Sequence, residues 1–276
     1  MTTFMFPGQG SQHKGMGADF FTEFTHEIHI ADEILGYSIV DLCLNDPQQL
    51  LSRTEYTQPA LYVVESLMYK AKQNQGLFPD YCIGHSLGEY AALYAAGAFD
   101  FPTGLRLVQK RGSLMSQVSG GGMLAVVDLA AERIKILLES QGLKSIDFAN
   151  FNSKRQIVLS GPAQDIHKAY EILSVEAMMC VPLNVSGAFH SRYMEKAAQE
   201  FAQFIDQFSF SELQATVIAN VNAEPYTLDT IKENLVNQIT HPVLWTEIIQ
   251  YVKNKGESEF VEVGPGNVLT RLLAQQ

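Results

Sequence analysis

Gly84-His85-Ser86-Leu87-Gly88 is the segment of this 276-residue sequence whose residue types most directly suggest chemistry. It fits G-x-S-x-G, a pattern that works where a strand turns sharply into a helix. Its flanks supply both: the apolar run Tyr81 to Gly84 before it, and an Ala-, Leu- and Tyr-rich stretch from Leu87 to Ala96 after it. Small residues on either side tolerate the strained turn, and the hydroxyl then projects at a helix N-terminus, where amide N–H groups favour developing negative charge. Ser86 is therefore the candidate nucleophile.

A serine hydroxyl is weakly nucleophilic until a base takes its proton, so one of the seven histidines should stand beside Ser86 in the fold. His190 is the choice, because in Gly187-Ala188-Phe189-His190-Ser191 an inferred strand gives way to a helix. On the residues alone, a polar helix cap or a surface group explains it as well. His85, next to Ser86, points elsewhere and reads as a packing or hydrogen-bonding residue. His26-Glu27-Ile28-His29 is one residue short of H-E-x-x-H and lacks a third ligand, so a solvated helix face is the better reading and no metal is expected.

Gly8-Gln9-Gly10 follows the first apolar run, but His13 stands where a dinucleotide fingerprint needs its third glycine, and Met16 stands where a phosphate loop needs lysine. The turn can instead aim the Gln9 N–H at a neighbouring strand's nucleophile, half of an oxyanion hole; a plain tight turn is the alternative. Arg111 either interacts with the end of its own helix or clamps a substrate carboxylate bidentately, which lysine imitates poorly.

These groups must be positioned by a series of predicted elements. A strand at Thr3 to Phe6 leads to a helix from Ala18 to Leu35, and a helix opening after Thr57-Gln58-Pro59 ends near Lys72. The Ser86 turn follows, then a helix from Asp100 to about Met115. Gly120-Gly121-Gly122 reads as a hinge. Beyond it, strands at Met123 to Asp128, Ile146 to Phe151, Gln156 to Ser160 and Met179 to Asn184 interleave with helices at Ala131 to Gln141 and Ala163 to Ala177. That βαββαβ order is ferredoxin-like and reads as an inserted small subdomain. A helix from Ser191 to Gln207 and strands at Thr216 to Asn220 and Glu259 to Val263 complete the chain.

Composition sets the outer bounds. With 46% apolar and 18% charged residues, the sequence is that of an ordinary globular protein. A net charge of -11 repels a nucleic-acid backbone, so no nucleic-acid partner is expected and an anionic substrate needs local positive groups. Three widely spaced cysteines without a C-x-x-C pair fit a reducing, cytoplasmic setting. The N-terminus has no basic region and breaks at Pro7, so no signal peptide is expected, and no apolar run is long enough for a membrane span.

Phe6-Pro-Gly-Gln-Gly-Ser-Gln12, Thr57-Gln-Pro-Ala60, Gly84-His-Ser-Leu-Gly-Glu89, Arg111-Gly112, Asn150-Phe-Asn-Ser153, His190 and Glu262-Val-Gly-Pro-Gly266 occur in this order. Together they resemble the motifs of the malonyl-CoA:acyl carrier protein transacylases, the acyltransferase family of fatty acid and polyketide synthesis. The resemblance runs nearly end to end. It implies an α/β fold in which a large α/β-hydrolase-like subdomain with a parallel sheet (1–121 and 190–276) carries an inserted small ferredoxin-like subdomain (122–189), with the active site between them.

Carried onto this sequence, the resemblance makes Ser86 the acylated nucleophile and His190 its base. Gln9 and Leu87 supply oxyanion amides, and Arg111 holds the malonyl carboxylate. Gln58, Asn152 and Phe189 join the substrate site, and the backbone carbonyl of Gln238 orients the histidine in place of a triad carboxylate. Malonyl-CoA is the substrate, no cofactor is bound, and a phosphopantetheinylated carrier protein is the partner of an enzyme expected to be monomeric. Phe189 before the histidine, and a chain that stops soon after Gly266, look like a freestanding acyltransferase that loads a polyketide synthase in trans. A housekeeping fatty-acid transacylase and an acyl hydrolase of the same fold are the alternatives, and a silent carrier-docking module is disfavoured by the intact Ser86, His190 and Arg111. Lys154-Arg155 is the expected basic spot for the carrier.

Overall fold

The structure is a computed structural model and describes residues 1–256 and 259–276. Its strands are β1 (Thr2–Phe6), β2 (Tyr81–Gly84), β3 (Gly121–Val127), β4 (Asp147–Ser153), β5 (Gln156–Pro162), β6 (Met179–Pro182), β7 (Thr216–Ile218) and β8 (Glu259–Glu262). The helices are α1 (Thr25–Leu35), α2 (Ile39–Leu44), α3 (Thr54–Asn74), α4 (Gly88–Ala95), α5 (Phe101–Ser116), α6 (Ala131–Ser140), α7 (Ala163–Leu173), α8 (Glu195–Ile205), α9 (Ile231–Asn237), α10 (Trp245–Asn254) and α11 (Val268–Leu273).

A parallel sheet in the order β7-β2-β1-β8 forms the larger part. Its central strands are continuous apolar runs because both faces are covered. Phe4 and Phe6 of β1 join the core shared with α3, α4 and α5, whereas Met5, Ile83 and Ile218 face Trp245, Ile248 and Leu269 of α10 and α11. All strands point the same way, so the carboxyl ends of β1, β2 and β7 deliver Gln9, Ser86 and Asn220 to one rim. That rim is where open parallel sheets place their sites.

The second sheet is antiparallel in the order β4-β5-β3-β6, the ferredoxin-like arrangement of a βαββαβ unit. Strand alternation divides its apolar residues: Leu124, Val126, Ile157 and Leu159 pack under α6 and α7, while Met123, Ala125 and Val158 join the core of the larger part. The Ala149 carbonyl accepts from Val243 N–H and the Val243 carbonyl from Phe151 N–H, each at 2.9 Å, tying β4 to the larger part.

Several elements differ from the sequence expectation. Helix α3 begins at Thr54, upstream of Pro59, which lies inside it. Proline removes one hydrogen bond there, but the run from Ala60 to Val64 is wholly buried, and packing outweighs that loss. The helix expected from Ala18 starts only at Thr25, since Gly17 is left-handed (φ +81°) and residues 17–23 run as tight turns that bury Phe21. The helix expected from Ser191 opens as a 3₁₀ turn, Arg192–Met194, before α8. Gly121 and Gly122 are no hinge: both pair within β3, and a Cβ on Gly121 would lie 2.2 Å from the Ala188 amide nitrogen, where the chain passes back to the larger part. Helices α2, α9, α10 and α11 lie outside the predicted elements, although Trp245, Ile248, Ile249 and Val252 do mark an apolar helical face on α10.

Candidate active site

The turn from β2 into α4 is closed by sterics. A Cβ on Gly84 would lie 2.1 Å from the Gly88 carbonyl carbon, and one on Gly88 would lie 2.0 Å from the Phe6 carbonyl oxygen. This closeness lets Ser86 occupy the left-handed region (φ +53°) at the start of α4, a conformation that costs a non-glycine residue about 1 kcal/mol or more. Its N–H donates to Asn220 Oδ1 at 2.7 Å, and Asn220 Nδ2 donates to the Gly84 carbonyl at 2.7 Å, so the strained turn is held from β7's end.

Ser86 and His190 meet despite their separation of 104 residues: Ser86 Oγ–H donates to His190 Nε2 at 2.7 Å. His190 Nδ1–H donates to the Gln238 carbonyl at 2.8 Å and reaches the His241 carbonyl at 3.2 Å. With Nδ1 carrying its proton, Nε2 has the lone pair that accepts the serine's. Burial, and then the charge of Arg111, push the imidazole pKa from 6.5 down to about 3, which keeps the ring neutral.

Arg111 comes from α5 and is buried. Nη1 donates to Gln58 Oε1 at 2.7 Å; Nη2 donates to Gln238 Oε1 at 2.7 Å and to Ser86 Oγ at 3.1 Å. The guanidinium lies over the Tyr90 ring at 5.6 Å and makes no ion pair among the described residues. A buried cation whose direct partners are neutral amides and a hydroxyl retains most of its affinity for an incoming carboxylate. A carboxylate two carbon–carbon bonds of about 1.5 Å each from a carbonyl at Ser86 Oγ falls within its reach.

Gln9 follows β1, with its side-chain Nε2 donating to Thr54 Oγ1 at 3.1 Å. The backbone N–H groups of Gln9 and Leu87 have no hydrogen-bond partner among the described residues. Both residues line the same cleft as Gln58, Ser86, Arg111, Phe189 and His190. The cleft holds about 100 Å³, room for an acyl group of a few heavy atoms.

Asn152 requires correction. Its Oδ1 meets His85 Nε2 at 2.8 Å, its Nδ2 donates to Gln156 Oε1 at 2.9 Å, and the cleft wall at this level is Asn150 instead. Residues two apart in a β-strand ordinarily share a face, but β4 has register shifts at Phe148/Asn150 and Phe151/Ser153 that break the alternation and that the sequence does not announce. Arg155 is paired bidentately with Asp128, leaving Lys154 as the cation of that turn without an ion-pair partner among the described residues. Of the zinc-like segment, Glu27 turns to Lys70 and His29 to Glu33, and no group of three metal-binding side chains occurs among the described residues. Asn220, at the end of a short strand, carries no motif that marks it in the sequence. Glu89 is marked in the sequence only as a lone carboxylate in the otherwise uncharged Gly88–Ala95 helix.

A parallel-sheet rim bearing a strained serine, a histidine and a buried arginine, faced by a ferredoxin-like unit, defines a serine acyl-transfer fold. The acyl transferase domain family model matches residues 3–276, and the chain belongs to that family. It is 53% identical, over 99% of this chain and 96% of the relative, to the polyketide biosynthesis malonyl CoA-acyl carrier protein transacylase PksC of Bacillus subtilis. The crystal structure of a malonyl CoA-acyl carrier protein transacylase from Burkholderia pseudomallei superposes with a TM-score of 0.95 at 46% identity, covering 100% of this chain and 97% of that one. A malonyl-transacylase solved with a type II polyketide synthase carrier protein, AntF, matches with a TM-score of 0.94 at 34% identity, covering 99% and 92%.

Proposed function

We propose that this protein moves a malonyl group from malonyl-CoA to the phosphopantetheine thiol of an acyl carrier protein, in polyketide biosynthesis, through a malonyl ester on Ser86. The observation that carries this reading is the buried Arg111 guanidinium, free of any ion pair among the described residues and 3.1 Å from the Ser86 hydroxyl. His190 takes the Ser86 proton as Oγ attacks the thioester carbon, and the Gln9 and Leu87 amides receive the oxyanion. Collapse breaks the carbon–sulfur bond, and the thiolate of coenzyme A leaves with the proton from His190. The carrier's thiol then gives its proton to His190 and attacks the ester, restoring Ser86. Phe189 narrows the cleft beside the malonyl α-carbon and disfavours a methyl branch.

The cleft lies between two parts of the chain, which we assign to 1–121 with 190–276 and to 122–189. No helix among the described residues is long and apolar enough to cross a membrane. The free cysteines Cys43, Cys82 and Cys180 support a cytoplasmic setting.

Intact mass after brief incubation with malonyl-CoA, methylmalonyl-CoA or acetyl-CoA tests this directly. The expected result is a malonyl adduct that Ser86→Ala lacks and that carrier protein removes. Preferential loading of acetyl or longer groups, lost rapidly to water, would make the protein a hydrolase instead.

A further inference from the structure

Beneath the cleft, and not among the residues that line it, lies the buried carboxylate of Glu89, in the first turn of α4. Oε1 accepts Asn220 N–H at 2.7 Å and the Tyr226 hydroxyl at 2.9 Å, while Oε2 accepts Gln238 Nε2. Each donor belongs to a residue from another part of the chain, and Gln238 and Asn220 are themselves fully buried.

We propose that Glu89 is the positioning residue of this site: by fixing which way the Gln238 amide faces and by holding the Asn220 backbone in place, it keeps nucleophile, base and arginine in one register. An amide group can be turned end for end with little change in shape, and only its hydrogen bonds decide the orientation. Oε2 of Glu89 and the Ser86 carbonyl, 2.7 Å away, both demand the NH₂ end of Gln238, so its oxygen is turned to Arg111 Nη2 at 2.7 Å. The same residue's backbone carbonyl holds His190 Nδ1–H. On the other side, Glu89 anchors the Asn220 backbone, whose side-chain oxygen takes the Ser86 N–H. The carboxylate is suited to this because it accepts at both oxygens.

This inference rests on the assignment of Ser86, His190 and Arg111 made above, and its test separates the two. The rate at which a serine-directed fluorophosphonate labels Ser86 reports the nucleophile and base without any acyl substrate. In Glu89→Gln, one donor must face another donor, and labelling is expected to slow by about tenfold to a hundredfold in a variant that still melts cooperatively. The loss in Glu89→Gln combined with Gln238→Ala is expected to fall short of the product of the two single losses, because one route is shared. A folded Glu89→Gln that is labelled at the parental rate, or losses that multiply in full, overturns the proposal. If Glu89→Gln does not fold, Tyr226→Phe removes one of the carboxylate's partners while keeping the ring; slowed labelling supports the proposal and a parental rate overturns it. A parental protein that is labelled at Ser86 but never malonylated removes the acyl assignment and leaves the role of Glu89 standing.

Discussion

At Ser86 the polar groups differ in what surrounds them, and their acid–base behaviour follows. Burial and the Arg111 charge hold His190 down at about 3, so the imidazole is neutral, with Nε2 free to accept a proton, across the neutral range. Glu89 moves the other way: burial raises its carboxyl from 4.5 to about 7, against the pull of Asn220, Tyr226, Gln238 and the Arg111 charge. Protonation of Glu89 as the pH falls removes an acceptor that Gln238 or Asn220 needs. The rate of malonyl loading is therefore expected to fall on the acid side of about pH 7, through Glu89 rather than through a histidine near 6.5. Stopped-time intact mass across pH measures it, and the limb should be missing in Glu89→Gln. Arg111→Ala is expected to lose malonyl loading by about ten- to a hundredfold, the worth of a charge-assisted hydrogen-bond pair, while acetyl loading rises. An unchanged malonyl preference would remove the clamp.

The elements that carry these residues depend on close backbone approach. Gly84→Ala would drive a methyl into the α4 backbone, which cannot yield without moving the nucleophile turn. A loss of at least about 3 kcal/mol in denaturant unfolding is expected, with little soluble protein as the other visible outcome. A contrasting case lies at the start of α5, where Asp100 Oδ1 accepts Thr103 N–H at 2.9 Å. Asp100→Ala is expected to cost about 1 kcal/mol and to leave Ser86 loading intact, because the cap is remote from the cleft.

For the whole molecule, the cleft exists because a ferredoxin-like unit is hung over the rim of a parallel sheet, joined to it through β4 and Val243. That enclosure shelters an ester from water until a thiol arrives. The net charge of -11 makes docking of an acidic carrier depend on local cations, and Lys154 is the one at the β4–β5 turn without an ion pair among the described residues. Lys154→Glu is expected to raise the apparent KM for the carrier several-fold and leave the malonyl-CoA half-reaction unchanged; an unaltered carrier KM would place docking elsewhere.

The strand–serine–helix turn, the βαββαβ order and the apolar runs of β1 and β2 are legible in the residues alone, because each depends on short-range sterics and periodicity. Ser86 was legible for the same reason: its glycines sit within two residues of it. The juxtaposition of Ser86 with His190, Arg111 and Gln238 spans 25 to 152 residues of chain and exists only once the sheet has closed. Folding alone sets Asn150 rather than Asn152 against the cleft, since a strand irregularity shifts which side chains share a face. It likewise decided the place of Glu89, because a carboxylate on a helix is soluble surface or buried anchor according to what three other segments bring to it.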